Sequence, residues 1–99
     1  MYNIIWSEPA RDDYLQNIDY LLENWTEKQA ESFIDAVFHT IDIISKNPKT
    51  FALTEYRNTR SALIVKQITL YYRIEDQKTV ELIYFWNNHQ NPDKLKDKL

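Results

Sequence analysis

The stretch YFWNNHQNP, residues 84–92, carries His89, one of only two histidines in the chain. An imidazole changes charge near neutral pH, so His89 is a natural candidate for a general acid or base. Upstream, residues 49–73 hold five basic side chains against a single acid, Glu55. RNA cleavage through the 2′-hydroxyl needs an acid, a base and cations on the phosphate, so this set of residues has the chemistry for it.

This hypothesis assigns catalysis to His89, Arg73 and Arg60. It assigns substrate binding to Lys66, Arg57 and Tyr84, because cations beside an aromatic ring suit phosphates and stacked bases. A plainer interpretation stands beside it. His89 is then a polar residue that ends a strand before an Asn-Pro helix cap, and the bases form a solvated strand face.

Composition disfavours other kinds of site. The absence of cysteine removes disulfides, thiol nucleophiles and thiolate metal sites, and the absence of glycine removes phosphate-binding glycine loops. His39 lies on a predicted helix between Val37 and Ile41 and is expected to face solvent. His89 alone, without a His-x-x-x-His spacing, is a weak metal ligand. No metal and no cofactor are therefore expected.

Length and charge limit the class of protein to which the chain can belong. Ninety-nine residues make one domain, and 43% apolar with 27% charged residues is typical of a globular protein. No apolar run is long enough to cross a bilayer and no signal peptide is recognisable, which predicts a cytoplasmic protein without membrane contact. Residues 1–48 hold nine acids against three bases, and residues 49–99 six acids against nine bases. The basic second half suggests an anionic partner.

Two helices are predicted in the first half, after a short strand over residues 1–6. Ser7 offers an N-cap and Pro9 fits the first turn. The first helix has an apolar face comprising Ala10, Tyr14, Ile18, Leu21, Leu22 and Trp25. Thr26 and Gln29 form a capping-box pattern for a second helix. Its apolar face comprises Ala30, Phe33, Ile34, Val37, Ile41 and Ile44. The short connection predicts an antiparallel hairpin.

After Pro48 the spacing of apolar residues changes from that of helices to that of strands. Residues 51–56 are predicted as a short edge strand, and residues 62–75 as one or two strands with a turn or bend at 66–67. A turn at 75–78 leads to a strand over 79–86, whose apolar run from Leu82 to Trp86 predicts a central position. Asn91 and Pro92 start a short C-terminal helix.

The predicted fold is therefore α+β, with the element order β-α-α-β-β-β and a short terminal helix. The helical hairpin packs on one face of a small antiparallel sheet and leaves the other face to the bases. Simple alternation places Thr69, Tyr71 and Arg73 on one face of their strand. On the next strand it groups Leu82, Tyr84 and Trp86 against Ile83 and Phe85.

Three stretches of the chain resemble toxins of the RelE/ParE superfamily, small bacterial proteins encoded beside an antitoxin. IIWSEPARDDYL, residues 4–15, is similar to that family's first strand leading into an acidic helix. TLYYRIEDQKTVELIYFW, residues 69–86, resembles its hairpin, and WNNHQNPDKL, residues 86–95, its closing segment. The resemblance covers nearly the whole length, so residues 1–99 are expected to form a single RelE/ParE-like toxin domain.

The resemblance implies a growth-inhibiting toxin of a type II toxin–antitoxin module, neutralised by a cognate antitoxin that is usually acidic. Members similar to RelE and YoeB cut mRNA on the ribosome, and members similar to ParE poison DNA gyrase. In the nucleases a histidine or arginine near the end of the chain serves catalysis; His89 matches it, with Asn88 as the neighbouring alternative. Arg60 and Arg73 would suit RNA phosphate or the antitoxin's carboxylates equally well.

The chain also departs from the nuclease pattern. The nucleases carry an arginine early in the hairpin strand, at the position of Thr69 here, and Arg73 lies four residues later. They also tend to be strongly basic, whereas this chain has a pI near 5.3. Its long helical hairpin is more similar to the ParE branch. Three hypotheses remain open: a metal-independent mRNA endonuclease, a non-catalytic gyrase inhibitor, and a partner-binding module that has lost toxicity.

Overall fold

The computed structural model describes residues 1–99 and contains four strands and three helices. In chain order they are β1 (Asn3–Trp6), α1 (Glu8–Asn24), α2 (Glu27–Lys46), β2 (Arg60–Val65), β3 (Ile68–Ile74), β4 (Thr79–Asn87) and α3 (Pro92–Lys98). The predicted α+β class, helical hairpin and terminal helix are confirmed. None of the three helices has the length and apolar character needed to cross a membrane.

The helix starts follow the predicted capping chemistry. The Ser7 hydroxyl accepts a hydrogen bond from the Ala10 amide at 3.0 Å, and the Thr26 hydroxyl accepts one from the Gln29 amide at 3.1 Å. At α3, the Asn91 side chain accepts from the Asp93 amide at 3.0 Å. Each cap satisfies an amide that the helix itself leaves unpaired, so these residues fix where the helices begin.

The sheet has the strand order β1-β4-β3-β2 and is mixed. The pairs β2–β3 and β3–β4 are antiparallel as predicted, but β1 pairs parallel with β4, from Asn3–Thr79 to Trp6–Leu82. The reason is that α2 returns the chain to the end of the sheet at which β1 begins. The contact between the two is direct, since the Tyr2 amide donates to the Ser45 carbonyl at 2.8 Å. β2 therefore starts in the direction of β1, and two hairpin reversals give β4 that same direction.

The edge strand predicted for residues 51–56 is wrong. Only an isolated bridge between Leu53 and Arg60 forms there, and the segment is otherwise a loop. Its polar groups find partners within the loop, since the Thr54 amide and hydroxyl both donate to the Thr59 carbonyl, at 2.8 and 2.9 Å. Asn58 has a φ of 48°, a left-handed conformation that asparagine tolerates and that turns the chain into β2.

The helices cover one face of the sheet, called here the covered face. Phe33, Val37 and Ile44 of α2 are fully buried in one core cluster with residues of all three long strands. β4 is central, as its apolar run predicted. The apolar face predicted for α1 is wrong at its end, because Leu22 and Trp25 are 50% and 45% exposed. Ala10 and Leu21 belong to the core cluster and face the sheet, whereas Leu22 and Trp25 lie on a side that the sheet does not cover.

A β-bulge in β4 changes which of its residues share a face. Tyr71 pairs with Tyr84 but Tyr72 pairs with Leu82, so Ile83 has no partner on β3. Leu82 and Phe85 consequently both belong to the core cluster on the covered face. The predicted grouping of Leu82 with Tyr84 is therefore wrong, since one extra residue inverts the alternation beyond it.

Beyond Trp6, α1 takes over from β1 as the neighbour of β4. The Ser7 hydroxyl donates to the Ile83 carbonyl at 2.9 Å, the Asn17 amide donates to the Phe85 carbonyl at 3.3 Å, and Asp13 accepts from the Phe85 amide at 3.2 Å. The N-cap side chain and two side chains of α1 thus satisfy a strand edge that would otherwise be unpaired. Burial raises the pKa of Asp13, although the hydrogen bond from Phe85 opposes this.

Candidate functional site

The face of the sheet opposite the helices, called here the open face, carries the half-buried side chains of Thr69, Tyr71 and Arg73 on β3. Beside them on β4 lie Tyr84 and Trp86, brought to this face by the bulge. Tyr71 and Tyr84 are direct cross-strand partners, as the sequence predicted for a shared face. The open face is therefore aromatic in its middle and polar at its ends.

A groove of about 440 Å³ crosses the open face. Tyr71 and Trp86 form its floor, the loop at Thr54–Tyr56 forms one wall, and the segment from Asn88 to Leu95 forms the other. The Tyr56 ring stands edge-on to Tyr71 with ring centroids 6.3 Å apart. Burial, and secondarily the neighbouring Tyr56, raises the pKa of Tyr71, so this phenol stays neutral in the physiological range.

Helix α3 closes one side of this groove. Leu95 is buried against the open face, and the Lys98 ammonium lies 5.4 Å from the Tyr84 ring centroid and 5.5 Å from that of Trp86. A cation over two aromatic faces is an attractive arrangement, worth about 0.5–1 kcal/mol at a partly exposed site. The terminal helix predicted from Asn91 and Pro92 therefore has a definite place, which the sequence did not indicate.

Arg60 does not lie on the open face. It pairs with Tyr72 across β2 and β3 and shares the covered face with Ala62 and Ile64. Its guanidinium donates to the Phe51 carbonyl at 2.7 Å. Burial raises the pKa of Tyr72 to about 12, with the positive charge of Arg60 acting in the opposite direction. Arg60 therefore contacts the core side of the loop at Phe51.

Arg73 lies on the open face but is engaged in holding a loop. Its Nε donates to the Thr59 hydroxyl at 3.1 Å and to the Arg57 carbonyl at 3.3 Å. Thr59 is fully buried, and Arg57 itself is exposed on the loop. Arg73 thus ties the loop of residues 57–59 to the end of β3, close to the wall of the groove.

The opposite end of the open face carries a neutral pair. The Thr69 hydroxyl donates to the Asn88 side-chain oxygen at 3.0 Å, and the Asn88 amide group donates to the Lys66 carbonyl at 3.4 Å. The Lys66 side chain is exposed in the turn between β2 and β3. Two positions that the family resemblance singled out, Thr69 and Asn88, are therefore in contact, although neither carries a charge.

His89 is exposed in the turn after β4, where its backbone amide donates to the Asn87 side chain at 2.9 Å. Its neighbours Asn88 and Gln90 line the groove, and His89 does not.

The structure does not bring all six predicted residues to one place. Arg73 contacts the Arg57 backbone and shares the open face with Tyr84. Arg60 lies on the covered face, and Lys66 and His89 lie exposed in turns. The two ends of the open face are also far apart. Thr69, which contacts Asn88, and Arg73 are separated by four residues of β3, or about 13 Å, so one phosphate group cannot bind at both ends.

The groove itself has a different character from the predicted cationic site. Among its lining residues the only charged one is the acid Glu55, and the others are aromatic, apolar, hydroxyl or amide side chains. No group of three or more His, Cys, Asp or Glu residues is placed to hold a metal ion. Such a groove can hold an apolar or aromatic group of a ligand against Tyr71 and Trp86. The side chains of Asn88 and Gln90 can then form hydrogen bonds with polar atoms next to that group.

None of the six predicted site residues is among those that line the groove, and sequence reasoning missed two of its aromatic residues in particular, Tyr56 and Trp86. Tyr56 lies in a loop, where no periodicity identifies a face. Trp86 ends the dense apolar run that predicted a central strand, and it is indeed buried, but its ring forms the groove floor. The signal available was the pairing of aromatic residues on adjacent strands, which only the correct register turns into a surface.

The same architecture occurs in solved toxin structures. A structure of the chromosomal ParDE toxin–antitoxin system from P. aeruginosa superposes with a TM-score of 0.73 at 12% identity, over 88% of this chain and 96% of that one. The YoeB/ParE toxin from Agrobacterium tumefaciens gives 0.63 at 14% identity, over 88% and 98%. The YoeB dimer from Staphylococcus aureus gives 0.61 at 18% identity, over 90% and 98%. At these identities the likeness concerns the fold.

The fold is thus that of small bacterial toxins from toxin–antitoxin systems. A family model described as ParE toxin of type II toxin-antitoxin system, parDE, matches residues 4–92, nearly the whole chain. The chain belongs to this ParE toxin family. No curated protein matches it.

Proposed function

We propose that this protein is the cytoplasmic toxin of a type II module, neutralised by a cognate antitoxin, and that it arrests growth by binding DNA gyrase without cutting RNA. The observation that carries the choice of mechanism is the charge of the groove. Glu55 is the only charged residue that lines it, and a carboxylate there repels phosphate. A groove with an aromatic floor, one carboxylate and no cation among its lining residues suits a protein partner's side chain better than a nucleic acid backbone.

The distribution of the cations supports this mechanism. Arg60 faces the core side of the sheet, and the Nε of Arg73 is taken up by Thr59 and the Arg57 carbonyl. A nuclease needs cations preorganised where charge develops on the phosphate. At the position where the nucleases carry an arginine, this chain has Thr69, hydrogen-bonded to the neutral Asn88.

Antitoxin binding is proposed by analogy with relatives. A structural neighbour is the YoeB–YefM toxin–antitoxin complex of Staphylococcus aureus, and another is the ParDE system of P. aeruginosa. The groove over Tyr71 and Trp86 is a concave surface that an antitoxin side chain could fill. An antitoxin bound there would also block access of a target to the open face.

The test compares two activities of the same protein, one measured in vitro and one measured in cells. Purified toxin is added to a DNA gyrase supercoiling reaction, and total mRNA from cells induced for the toxin is mapped for new 5′ ends. We expect loss of supercoiling, restored by the antitoxin, and no new ends within coding frames. His89→Ala, at an exposed turn, should leave both results unchanged. Tyr71→Ala, in the groove floor, should reduce gyrase inhibition.

A nuclease is the second candidate, and one observation favours it. His89 stands in the chain between two residues that line the groove, Asn88 and Gln90, so it directly adjoins the groove wall. Cleavage that disappears in His89→Ala, with gyrase activity unaffected by the wild-type protein, would replace the gyrase proposal with this one. Absence of growth arrest in any form would instead favour a partner-binding module that has lost toxicity.

A further inference from the structure

A second cavity, of about 240 Å³, lies between α1 and the end of β4. We call it the polar pocket, because amide side chains dominate its lining and no cation is among them. It shares only Gln90 with the groove on the open face, so it is a separate site. Its polar lining residues are one carboxylate, one phenol and four carboxamides: Asp13, Tyr20, Gln16, Asn17, Asn87 and Gln90.

One wall of the polar pocket is anchored to a single strand residue, Phe85. Asp13 Oδ2 accepts from the Phe85 amide, and Asn17 Nδ2 donates to the Phe85 carbonyl. Asp13 and Asn17 are four residues apart and share one face of α1, and the amide and carbonyl of one strand residue point to the same side. The two side chains therefore lie next to each other along the edge of β4.

Each of these two side chains has one oxygen atom left over. Neither Asp13 Oδ1 nor Asn17 Oδ1 accepts a hydrogen bond from another group of the protein. Asn17 is only 7% exposed, yet no fully buried side-chain nitrogen or oxygen of the protein is unpaired, so its Oδ1 reaches the surface of the cavity that it lines. The polar pocket thus presents two adjacent hydrogen-bond acceptors to a ligand.

The residue that positions the two acceptors is held firmly in the core. Phe85 is 2% exposed, and its ring centroid lies 5.4 Å from that of Trp6, 6.0 Å from that of Tyr14 and 6.5 Å from that of Phe33. A strand residue packed among three aromatic rings has little freedom to move. The two oxygens are therefore arranged before a ligand arrives, which lowers the entropy cost of binding.

The charge of Asp13 has no explanation in the fold. Asp13 is half-buried and forms no ion pair within the protein. The Lys98 ammonium acts on it only at a distance, because it lies over the rings of Tyr84 and Trp86. A neutral asparagine would accept the same hydrogen bond from Phe85 without the cost of burying an unpaired charge. A carboxylate in this place is expected where a cationic ligand completes the pair.

The shape and charge of the polar pocket favour one kind of cation. A guanidinium group is planar and carries N–H donors on adjacent nitrogen atoms, so it can bind two neighbouring oxygens at once, whereas an ammonium is a compact point charge. The Tyr20 ring, 40% exposed beside the acceptors, offers an aromatic surface on which a guanidinium or its alkyl stem packs. The exposed acids Asp12 and Asp19 on the same helix attract a cation and repel a nucleic acid's phosphates.

We propose that the polar pocket binds a guanidinium group, with Asp13 Oδ1 and Asn17 Oδ1 accepting hydrogen bonds from it. The group belongs to an arginine side chain of a bound protein or to a small guanidine compound, and the same contacts serve both. This inference goes beyond the proposed function and does not depend on which target the toxin has.

The experiment is a titration of the full-length, ¹⁵N-labelled protein, followed by two-dimensional NMR. Nα-acetyl-arginine N-methylamide represents an arginine within a protein, and agmatine represents a small guanidine compound. We expect saturable shifts of the Phe85 backbone amide and the Asn17 side-chain amide, the two groups bonded at the pocket wall. The matched lysine compound should bind about tenfold more weakly, and the matched citrulline compound, planar but neutral, should not bind.

Two neighbouring acids give a matched pair of variants. Asp13→Asn keeps an acceptor for the Phe85 amide and removes the charge, so we expect the Kd for the arginine compound to rise at least about tenfold, with a melting temperature at or above wild type. Asp12→Asn removes the same charge from an exposed position outside the polar pocket, and we expect the Kd to change less than about twofold.

Each outcome bears on the site separately from the toxin's target. Tighter binding of the arginine compound assigns the site to a protein partner, and binding of agmatine alone assigns it to a small molecule. No saturable shift with either compound up to about 50 mM overturns the site. Equal weakening in Asp12→Asn and Asp13→Asn overturns it as well, because the attraction is then a general effect of charge. Guanosine that produces the same shifts, when neither guanidinium compound does, overturns the assigned ligand in favour of a nucleobase. Gyrase inhibition is measured independently of all of these results.

Discussion

The two faces of the sheet are built from the same strands and serve different purposes. On β3, Tyr72 is fully buried on the covered face, and its hydroxyl donates to the Pro48 carbonyl at 2.6 Å. Its neighbour Tyr71 lies half-buried in the floor of the groove on the open face. One residue of displacement along a strand thus separates a core position from a position in the groove. The core cluster lies on the first face, so we expect the first face to contribute most of the stability.

The two arginines illustrate the same division. Arg60 reaches from the covered face to the Phe51 carbonyl, and Arg73 reaches from the open face to Thr59. Both contact the connection between α2 and β2, from opposite sides of the sheet. The loop that replaces the predicted edge strand is therefore held by two cations, each of which the sequence analysis considered for RNA phosphate or for the antitoxin's carboxylates.

Adjacent tyrosines give the sharpest test of the difference between the faces. Tyr72→Ala creates a cavity in the core and removes the bond to Pro48, so we expect a loss of about 3–5 kcal/mol in the free energy of unfolding. Tyr71→Ala, on the open face, should cost about 1 kcal/mol. Urea denaturation of both variants measures the difference. Equal losses would mean that the open face contributes to stability as much as the covered face does.

Asp13 tests the contact between α1 and the unpaired edge of β4. Asp13→Ala leaves the Phe85 amide without a partner, which we expect to cost about 1–3 kcal/mol of unfolding free energy. Asp13→Asn keeps an oxygen acceptor without a charge. Urea denaturation at pH 7 should rank Asp13→Asn at or above wild type and Asp13→Ala well below it.

The pH dependence of the Asp13 variants follows from the direction of the pKa shift. Burial raises the folded-state pKa of Asp13 above its ordinary value of 3.8, so protons bind more tightly to the folded state. The stabilisation that this gives is complete below the ordinary value and is lost as the pH rises through the folded-state pKa. Wild type should therefore approach Asp13→Asn in stability on acidification. A gap that widens towards low pH would contradict the shift.

Arg60→Ala and Arg73→Ala should each lower the free energy of unfolding by about 1–2 kcal/mol, because each removes a charged donor from a loop acceptor. The two variants should differ in where they loosen the protein. Hydrogen exchange should increase near Thr59 in Arg73→Ala and near Phe51 in Arg60→Ala. Normal exchange in both loops, with growth arrest abolished by Arg73→Ala, would restore Arg73 as a contact for an anionic ligand.

Thr69→Val should change stability least. It removes only the exposed hydrogen bond to Asn88, so we expect a loss of about 0.5–1 kcal/mol and growth arrest equal to wild type. The comparison with Tyr71→Ala, two residues along the same open face, separates the neutral pair from the groove floor. Loss of toxicity in Thr69→Val alone would move the functional centre of the open face to its Thr69–Asn88 end.

Much of the fold followed from local patterns. The two long helices, their caps and the central position of β4 were predictable, because capping chemistry and apolar periodicity act over a few residues. The loop at residues 51–59 was not, because its hydrogen bonds, such as Thr54 to Thr59, compete with strand pairing in a way that composition does not reveal. The exposure of Leu22 and Trp25 was missed because periodicity identifies an apolar stripe without identifying what covers it.

The site depended more heavily on long-range structure. The residue types of the sequence determined an acidic helical hairpin, a strand-rich basic half and the absence of cysteine and glycine chemistry. The bulge at Ile83, the parallel pairing of β1 with β4 and the folding of α3 onto the open face were decided only in the tertiary structure. Each of these joins residues far apart in the chain. Because a bulge inverts every later side chain on its strand, it also decided that Trp86 would form the floor of a groove and that Phe85 would enter the core.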